Sequence, residues 1–209
     1  MLYPKTNPLI RWIFKTYVKR LVGAHFHRFL YNNATVDEGK SVLLVANHFS
    51  FWDGLILFCL NDKLLKKKFH VMILHETAQK TGMLRYGGAF SVDKNSRDMV
   101  QSLDYAAELL NNPGNLVLMF PQGRLFSNFV SEVKFEKGVM KLIEKAQGKF
   151  QLIFAATFVQ YFKHKKPSVT VYLKNETGNY AGKGIDELQN SYQQHYQASK
   201  LLQTEIDIK

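Results

Sequence analysis

Residues 41–53 read Ser-Val-Leu-Leu-Val-Ala-Asn-His-Phe-Ser-Phe-Trp-Asp. The first six, Ser41–Ala46, form a short, continuous apolar run, which is typical of a strand buried on both faces of a sheet. Trp52–Leu60 has the apolar face of a helix that begins after a short loop. A buried strand followed directly by a helix predicts an α/β architecture.

The same alternation of short apolar runs and amphipathic segments continues along the chain. Further strands are predicted at Phe69–Leu74, Ala89–Val92, Asn115–Phe120, Leu152–Phe158 and Val169–Leu173, and further helices at Thr77–Tyr86, Ser96–Leu110, Gly138–Ala146 and Ile185–Ile206. We therefore expect one α/β domain over residues 37–209, with a largely parallel mixed β-sheet flanked by helices.

The composition narrows the class of protein. The 209 residues are 46% hydrophobic and 22% charged, as in a folded globular protein, and the single cysteine, Cys59, excludes an internal disulfide. No apolar run approaches the roughly 18–20 residues that a helix needs to span a bilayer. The net charge of +11 favours an anionic partner, such as nucleic acid, an acidic membrane or an acidic carrier protein.

Residues 1–36 contain basic side chains and no acidic one. Helical spacing relates six of their apolar residues, Ile10, Ile13, Phe14, Tyr17, Val18 and Leu21. Arg11, Lys15 and Lys19 form an adjacent basic stripe, and a second short helix is predicted over His25–Tyr31. This pattern is typical of helices in a membrane interface, so we expect residues 1–36 to dock on anionic lipids. The alternative is an ordinary helix packed on the domain.

The N-terminus does not resemble a cleaved secretion signal, because basic residues interrupt its apolar residues. Common catalytic motifs are also missing. The sequence has no G-x-S-x-G elbow and no Walker A loop, and His75-Glu76 is followed by Gln79 where a zincin needs histidine. We expect no metal site.

His48 and Asp53 form the strongest chemical signal. His48 follows the strand Ser41–Ala46 at its carboxyl end, the edge where open α/β sheets bind ligands. Asp53, at the start of the next helix, can hold one imidazole nitrogen protonated and leave the other as a general base. Without an adjacent nucleophile, such a pair suits activation of a substrate's own hydroxyl or amine. The alternatives are a helix N-cap for Asp53 and a buried polar role for His48.

Two further segments follow this pair in order. Gly88-Ala89-Phe90-Ser91-Val92-Asp93-Lys94 and Phe120-Pro121-Gln122-Gly123-Arg124 each lie beside a predicted strand. The order His-x4-Asp, Gly-x-Phe-x-x-Asp-basic and Phe-Pro-x-Gly resembles the lysophospholipid acyltransferase superfamily, the PlsC-type 1-acyl-glycerol-3-phosphate acyltransferases and their relatives. The resemblance extends over about residues 42–158.

The resemblance implies transfer of a fatty acyl group from acyl-CoA or acyl carrier protein to a hydroxyl of a lipid-like acceptor, without a metal or other cofactor. It implies His48 as the general base and Asp53 as its orienting partner. It implies a pocket lined by Gly88 and Phe90, with substrate bound by Lys94, Arg97, Phe120, Pro121, Gln122, Gly123 and Arg124. We expect a cytoplasmic protein, peripheral on the inner face of the cell membrane.

Three blocks depart from the family pattern. Lys94 stands where arginine is usual, and Gln122 replaces a glutamate. Arg124 and Leu125 occupy positions where threonine and arginine are usual. The family pattern also has a fourth segment, an apolar strand with a proline, and here residues 155–156 are alanines. Because arginine binds phosphate bidentately and lysine does not, these departures argue against a glycerol phosphate acceptor.

Several functional alternatives stay open on the sequence. The acceptor candidates are lysophosphatidic acid, as in phospholipid synthesis, a lyso-aminolipid, or the hydroxyl of a pigment or glycolipid. A catalytically silent lipid- or acyl-carrier-binding protein on the same scaffold is a second reading. We expect no nucleic-acid partner, because that hypothesis rests on net charge alone and no recognised nucleic-acid motif accompanies it. Two basic clusters, Lys66–Lys68 and Lys163–Lys166, suit a carrier protein, CoA phosphates or lipid headgroups, or are simply solvated.

Overall fold

The computed structural model describes residues 1–93 and 98–206 and is organised around a seven-stranded sheet. Its strands are β1 (Phe29–Tyr31), β2 (Ser41–Ala46), β3 (Lys68–Leu74), β4 (Ala89–Val92), β5 (Asn115–Met119), β6 (Phe150–Gln160) and β7 (Ser168–Glu176). They lie in the order β1-β7-β6-β2-β5-β3-β4, and every neighbouring pair is parallel except β6 and β7. This confirms the predicted α/β class with a largely parallel mixed sheet.

Six α-helices accompany the sheet within the part of the chain that the structure describes. They are α1 (Pro8–His25), α2 (Asp53–Leu60), α3 (His75–Lys80), α4 (Asp98–Leu109), α5 (Gly138–Ala146) and α6 (Ile185–Thr204). The helix predicted over Thr77–Tyr86 is divided: α3 ends at Lys80, and a 3-10 helix, Gly82–Gly87, follows it. Gly82 lies at the break, and glycine disfavours a continuous helix.

The sheet is buried on both faces, as the apolar strands predict. Along β2, Val42, Leu44 and Ala46 pack in a core shared with α1 and α2. Leu43 and Val45 point to the opposite face, in a second core shared with α4, α5 and α6. Because neighbouring side chains alternate between the faces, β2 contributes to both cores, and it lies near the centre of the sheet.

The N-terminal segment is joined to this domain. Phe14, Val18 and Val22 of α1 are buried. The second helix predicted over His25–Tyr31 is wrong, because α1 ends at His25 and Phe29–Tyr31 is an edge strand parallel to β7. Edge pairing with β7 supplies the backbone hydrogen bonds that an isolated turn of helix would otherwise provide. No helix within the described ranges 1–93 and 98–206 is both long and apolar enough to cross a membrane.

Gly88 connects the 3-10 helix to β4 in a backbone conformation with φ of +98°. A Cβ atom there would lie 1.9 Å from the carbonyl oxygen of Phe69, far inside van der Waals contact. Only glycine therefore allows β4 to begin this close to β3.

We expect Gly88→Ala to lower the free energy of unfolding by about 3 kcal/mol or more, because left-handed strain adds to the clash with Phe69. Urea denaturation measures the loss. Gly182→Ala is the matched control: Gly182 also has positive φ, +79°, but nothing lies within 4 Å of an added Cβ. The control should lose about 1–2 kcal/mol. Equal losses in the two variants would contradict the close approach.

Candidate active site

The loop between β2 and α2 brings His48 and Asp53 together. His48 Nδ1 lies 2.8 Å from Asp53 Oδ2. The Asp53 side chain is fully buried, whereas a quarter of the His48 side chain is exposed. Because an ionised carboxylate only accepts hydrogen bonds, Nδ1 donates the proton, and in the neutral imidazole Nε2 then carries the lone pair.

Three more hydrogen bonds hold the Asp53 carboxylate. Oδ2 accepts the backbone N–H groups of Phe49, at 2.7 Å, and Ser50, at 2.9 Å, and Oδ1 accepts the Ser50 hydroxyl at 2.8 Å. These donors all precede α2, so Asp53 organises the loop before the helix and does not cap α2. The carboxylate therefore fixes the loop and the imidazole together.

The segment after β5 supports His48 from the other side. The backbone N–H of His48 donates to Gln122 Oε1 at 2.7 Å, and its carbonyl accepts the Phe126 N–H at 3.0 Å. The imidazole stacks on Phe120, with ring centroids 4.1 Å apart and planes at 15°. Gln122 is 4% exposed, so its amide oxygen accepts this hydrogen bond in the interior of the protein. An amide oxygen accepts this bond as a carboxylate oxygen would, which accounts for glutamine where glutamate is usual.

Asn47 supplies a support that the sequence analysis missed. Its Nδ2 donates to the Thr157 carbonyl at 3.0 Å, and its Oδ1 accepts the Thr157 N–H at 2.8 Å. These two bonds continue the pairing of β2 with β6 beyond Ala46, directly before His48. A buried amide next to an apolar strand was the signal that could have identified it.

His48 lines a cavity of about 900 Å³. Most of the lining is apolar and comes from α1, α2, β3, the 3-10 helix, β4 and the segment after β5, including Phe14, Leu55, Phe58, Phe69, Val71, Ile73, Leu84, Ala89 and Phe120. Arg124, Lys137 and Lys141 add three cations, and Glu136 adds one carboxylate. The cavity therefore combines a large apolar volume with a basic side and one imidazole.

The predicted binding residues divide into three groups. Residues 120–121 and 123–124 line the cavity, whereas Gln122 is buried beneath His48. The cavity is also lined by Lys137 and Lys141, which no motif in the sequence singled out. Lys94 and Arg97 lie outside the described residues.

Gly88 and Phe90, which were predicted to line the pocket, do not line it. Gly87 and Ala89 line the cavity, and Gly88 and Phe90 are not among its lining residues. Because side chains alternate along a strand, Phe90 points to the opposite core. There its ring contacts the Tyr105 ring edge-on, with centroids 5.2 Å apart. The conformation of Gly88 positions β4, which in turn places Ala89 at the cavity.

Comparison with known proteins gives one family match and a structural likeness. Residues 27–172 match the family described as Acyltransferase. No curated protein matches the sequence. The fold is similar to a crystal structure of the 1-acyl-sn-glycerophosphate (LPA) acyltransferase PlsC from Thermotoga maritima, with a TM-score of 0.69 and 12% identity, over 95% of this chain and 81% of that chain.

The structural likeness confirms the α/β fold. The family match extends over well more than half of the sequence and includes β2, His48, Asp53 and the segment after β5. The chain belongs to the acyltransferase family.

Proposed function

We propose that this protein transfers a fatty acyl group from an acyl thioester, acyl-CoA or acyl carrier protein, to a hydroxyl of a lipid-like acceptor. The observation that carries the proposal is the 2.8 Å contact between His48 and Asp53 at the lining of a large apolar cavity. The imidazole offers a base, and the apolar volume suits a fatty chain.

In the proposed reaction, His48 Nε2 takes the proton of the acceptor hydroxyl as its oxygen attacks the thioester carbonyl carbon. Asp53 stabilises the resulting imidazolium through Nδ1. The tetrahedral intermediate then collapses, the carbon–sulfur bond breaks, and His48 returns the proton to the departing thiolate. An ester and a free thiol are the products. Thiolate is a good leaving group, so the proposed reaction needs no metal ion or other cofactor.

We expect His48→Ala to lower kcat by a factor of roughly 10²–10⁴ or more, because the variant has no base in contact with Asp53. Thiol release from an acyl thioester in the presence of acceptor measures the rate. His27→Ala, which removes an exposed histidine outside the cavity lining, is the matched control and should keep its activity. Near-normal turnover by His48→Ala would remove His48 from the mechanism.

Gln122 allows a test of how the base is held. Gln122→Met removes the acceptor for the His48 N–H at similar side-chain volume, whereas Gln122→Glu keeps an oxygen there. We expect kcat to fall roughly 10- to 100-fold in the methionine variant, because a misplaced base loses catalysis steeply. The glutamate variant should retain most of the activity. The same loss in both variants would show that the accepted hydrogen bond is not what matters.

The charges of the cavity lining bear on the choice of acceptor. The cations Arg124, Lys137 and Lys141 line the cavity, which favours lysophosphatidic acid as a second candidate. All three residues are exposed, and only Arg124 offers a bidentate guanidinium. Exposed lysines hold a phosphate weakly, so we propose a hydroxylated lipid other than lysophosphatidic acid as the preferred acceptor.

We expect lysophosphatidic acid to give a lower kcat/KM than at least one other hydroxylated lipid, such as a lyso-aminolipid or glycolipid. A missing charge-assisted bond changes specificity by about 10- to 150-fold. Competition at fixed donor concentration measures the ratio. The highest kcat/KM with lysophosphatidic acid would contradict this acceptor assignment and leave the acyl-transfer reaction intact.

We also propose that α1 places the protein on the inner face of the cell membrane, in contact with anionic lipids. One face of α1 is buried against the domain, but a second face exposes four large side chains, Leu9, Trp12, Ile13 and Tyr17. Trp12 is 64% exposed, and an amphipathic indole suits the headgroup layer. Since the cytoplasm supplies acyl-CoA and acyl carrier protein, a peripheral location would give access to donor and acceptor alike.

We expect the triple variant Leu9→Gln, Trp12→Gln and Ile13→Gln to reduce partition onto anionic vesicles by about 100-fold, since each side chain loses its apolar contribution. Vesicle co-sedimentation measures the loss. The control, Leu201→Gln with Leu202→Gln, removes two exposed leucines of α6. Unchanged binding by the triple variant would refute docking through α1. Substitution is preferable to deleting residues 1–31, because deletion also removes β1 and the buried face of α1.

A further inference from the structure

A second pocket, of about 400 Å³, lies between α1, the end of α2 and the beginning of β3. We call it the basic pocket. Its polar lining consists of Arg11, Lys15, Asn61, Asp62, Lys66 and Lys67. Four cations and one carboxylate give a formal charge of +4 − 1 = +3. The pocket lies at the amino end of β3, whereas His48 lies at the carboxyl end of the parallel strand β2, so the two sites are separate.

The single carboxylate of the basic pocket is already paired. Asp62 forms ion pairs with Lys15 and, at 3.0 Å, with Lys19. Burial alone would raise the pKa of Asp62, but hydrogen bonds from both lysines lower it below the ordinary value. Among the described residues, neither Arg11 nor Lys66 has an ion-pair partner. The pocket therefore presents uncompensated positive charge.

Lys67 brings a buried cation to the same place. Its side chain is 4% exposed, and Nζ lies 3.4 Å and 3.5 Å from the carbonyl oxygens of Asp37 and Glu38. The Glu38 carboxylate is 3.7 Å away on a side chain that is 92% exposed. These contacts are long for charge-assisted hydrogen bonds, so the ammonium is weakly satisfied. Lys67 also lines the basic pocket, where a bound anion would offset its charge.

The backbone around the pocket is rigidly held. Asn61 donates from Nδ2 to the Lys67 carbonyl at 2.8 Å and accepts the Lys67 N–H at 3.2 Å. Between them the chain makes a π-helical turn, Asn61–Leu65, and Lys66 has a left-handed conformation with φ of 55°. A non-glycine residue in this conformation is strained and is retained where the surroundings require it. The lysines are therefore presented by a preorganised turn.

The position of the pocket relates it to a membrane. At 100° per residue around α1, Arg11, Lys15 and Lys19 lie between the buried face, Phe14 and Val18, and the exposed apolar face that includes Trp12. When that apolar face enters a bilayer, this intermediate stripe lies at the depth of the headgroups.

Two aromatic residues lie between the basic pocket and the cavity that His48 lines. Phe58 and Phe69 line both spaces, and their rings meet edge-on with centroids 5.3 Å apart. The apolar rings of Phe58 and Phe69 disfavour entry of a charged group from the basic pocket into the cavity.

We propose that the basic pocket binds the phosphate of an anionic phospholipid headgroup and thereby fixes α1 on the membrane. The inference deepens the proposed docking through α1 and does not depend on acyl transfer. Arg11 offers a bidentate guanidinium to the phosphate, and Lys66 and Lys67 offer point charges from the opposite wall. The adjacent exposed residues of α1 contact the acyl chains of the same lipid.

The test is vesicle co-sedimentation with no acyl donor present. The variant Arg11→Gln with Lys66→Gln removes two unpaired cations of the pocket. The control, Lys149→Gln with Lys200→Gln, removes two charges outside α1 and outside both basic clusters, so the net charge of both proteins is equal. On phosphatidylcholine vesicles with one fifth phosphatidylglycerol, we expect the pocket variant to bind roughly 10- to 30-fold more weakly. The control should change by less than about threefold, and thermal unfolding should be unchanged in both.

A competition arm distinguishes a lipid from a free phosphate. Glycerol 3-phosphate at millimolar concentration should leave the wild-type protein on the vesicles, apart from the effect of an equal ionic strength of sodium chloride. Specific displacement by glycerol 3-phosphate would assign the pocket to a soluble phosphate and overturn the lipid assignment. Equal losses in both double variants would attribute binding to net charge, and no loss in the pocket variant would refute the site. Because turnover is not measured, a failure of the acyl-transfer proposal would leave this result unaffected.

Discussion

A buried carboxylate with four hydrogen bonds is the constraint on which the proposed chemistry depends. Asp53 has no exposed surface, so its charge must be compensated within the protein. The compensation comes from the Phe49 and Ser50 backbone, the Ser50 hydroxyl and His48 Nδ1. The same bonds that stabilise the charge also fold the loop and select the imidazole tautomer. The carboxylate that holds the loop conformation therefore also orients the base.

The sheet topology brings two further supports to the backbone around His48. β2 lies between β5 and β6, and the carboxyl ends of β2 and β5, which are parallel, meet at one edge. The segment after β5 supplies Gln122 to the His48 N–H, and β6 supplies Thr157 to Asn47. Each support acts on the backbone beside the base, so neither of them occupies Nε2. A histidine on an edge strand would lack one of these two neighbours.

Local patterns in the sequence predicted most elements because apolar runs and helical spacing are properties of neighbouring residues. They could not predict β1, since Phe29–Tyr31 is a strand only through its pairing with β7, more than 130 residues later. The same limit applies to Gln122, whose contact with His48 spans 74 positions. Motif spacing also did not reveal which face of β4 meets the cavity, and Ala89 lines it where Phe90 was expected. The basic stripe of α1 was predicted, but its partner Asp62 was not.

A double-variant cycle across the dyad tests the central claim most directly. The rates to compare are kcat/KM of the wild-type protein, Asp53→Asn, His48→Ala and the double variant, measured by thiol release with one donor and acceptor. If Asp53 acts only by orienting and stabilising the imidazole, the double variant should be no slower than His48→Ala alone. Losses that multiply across the two substitutions would contradict the account, because they would mean that the carboxylate contributes to transfer independently of His48.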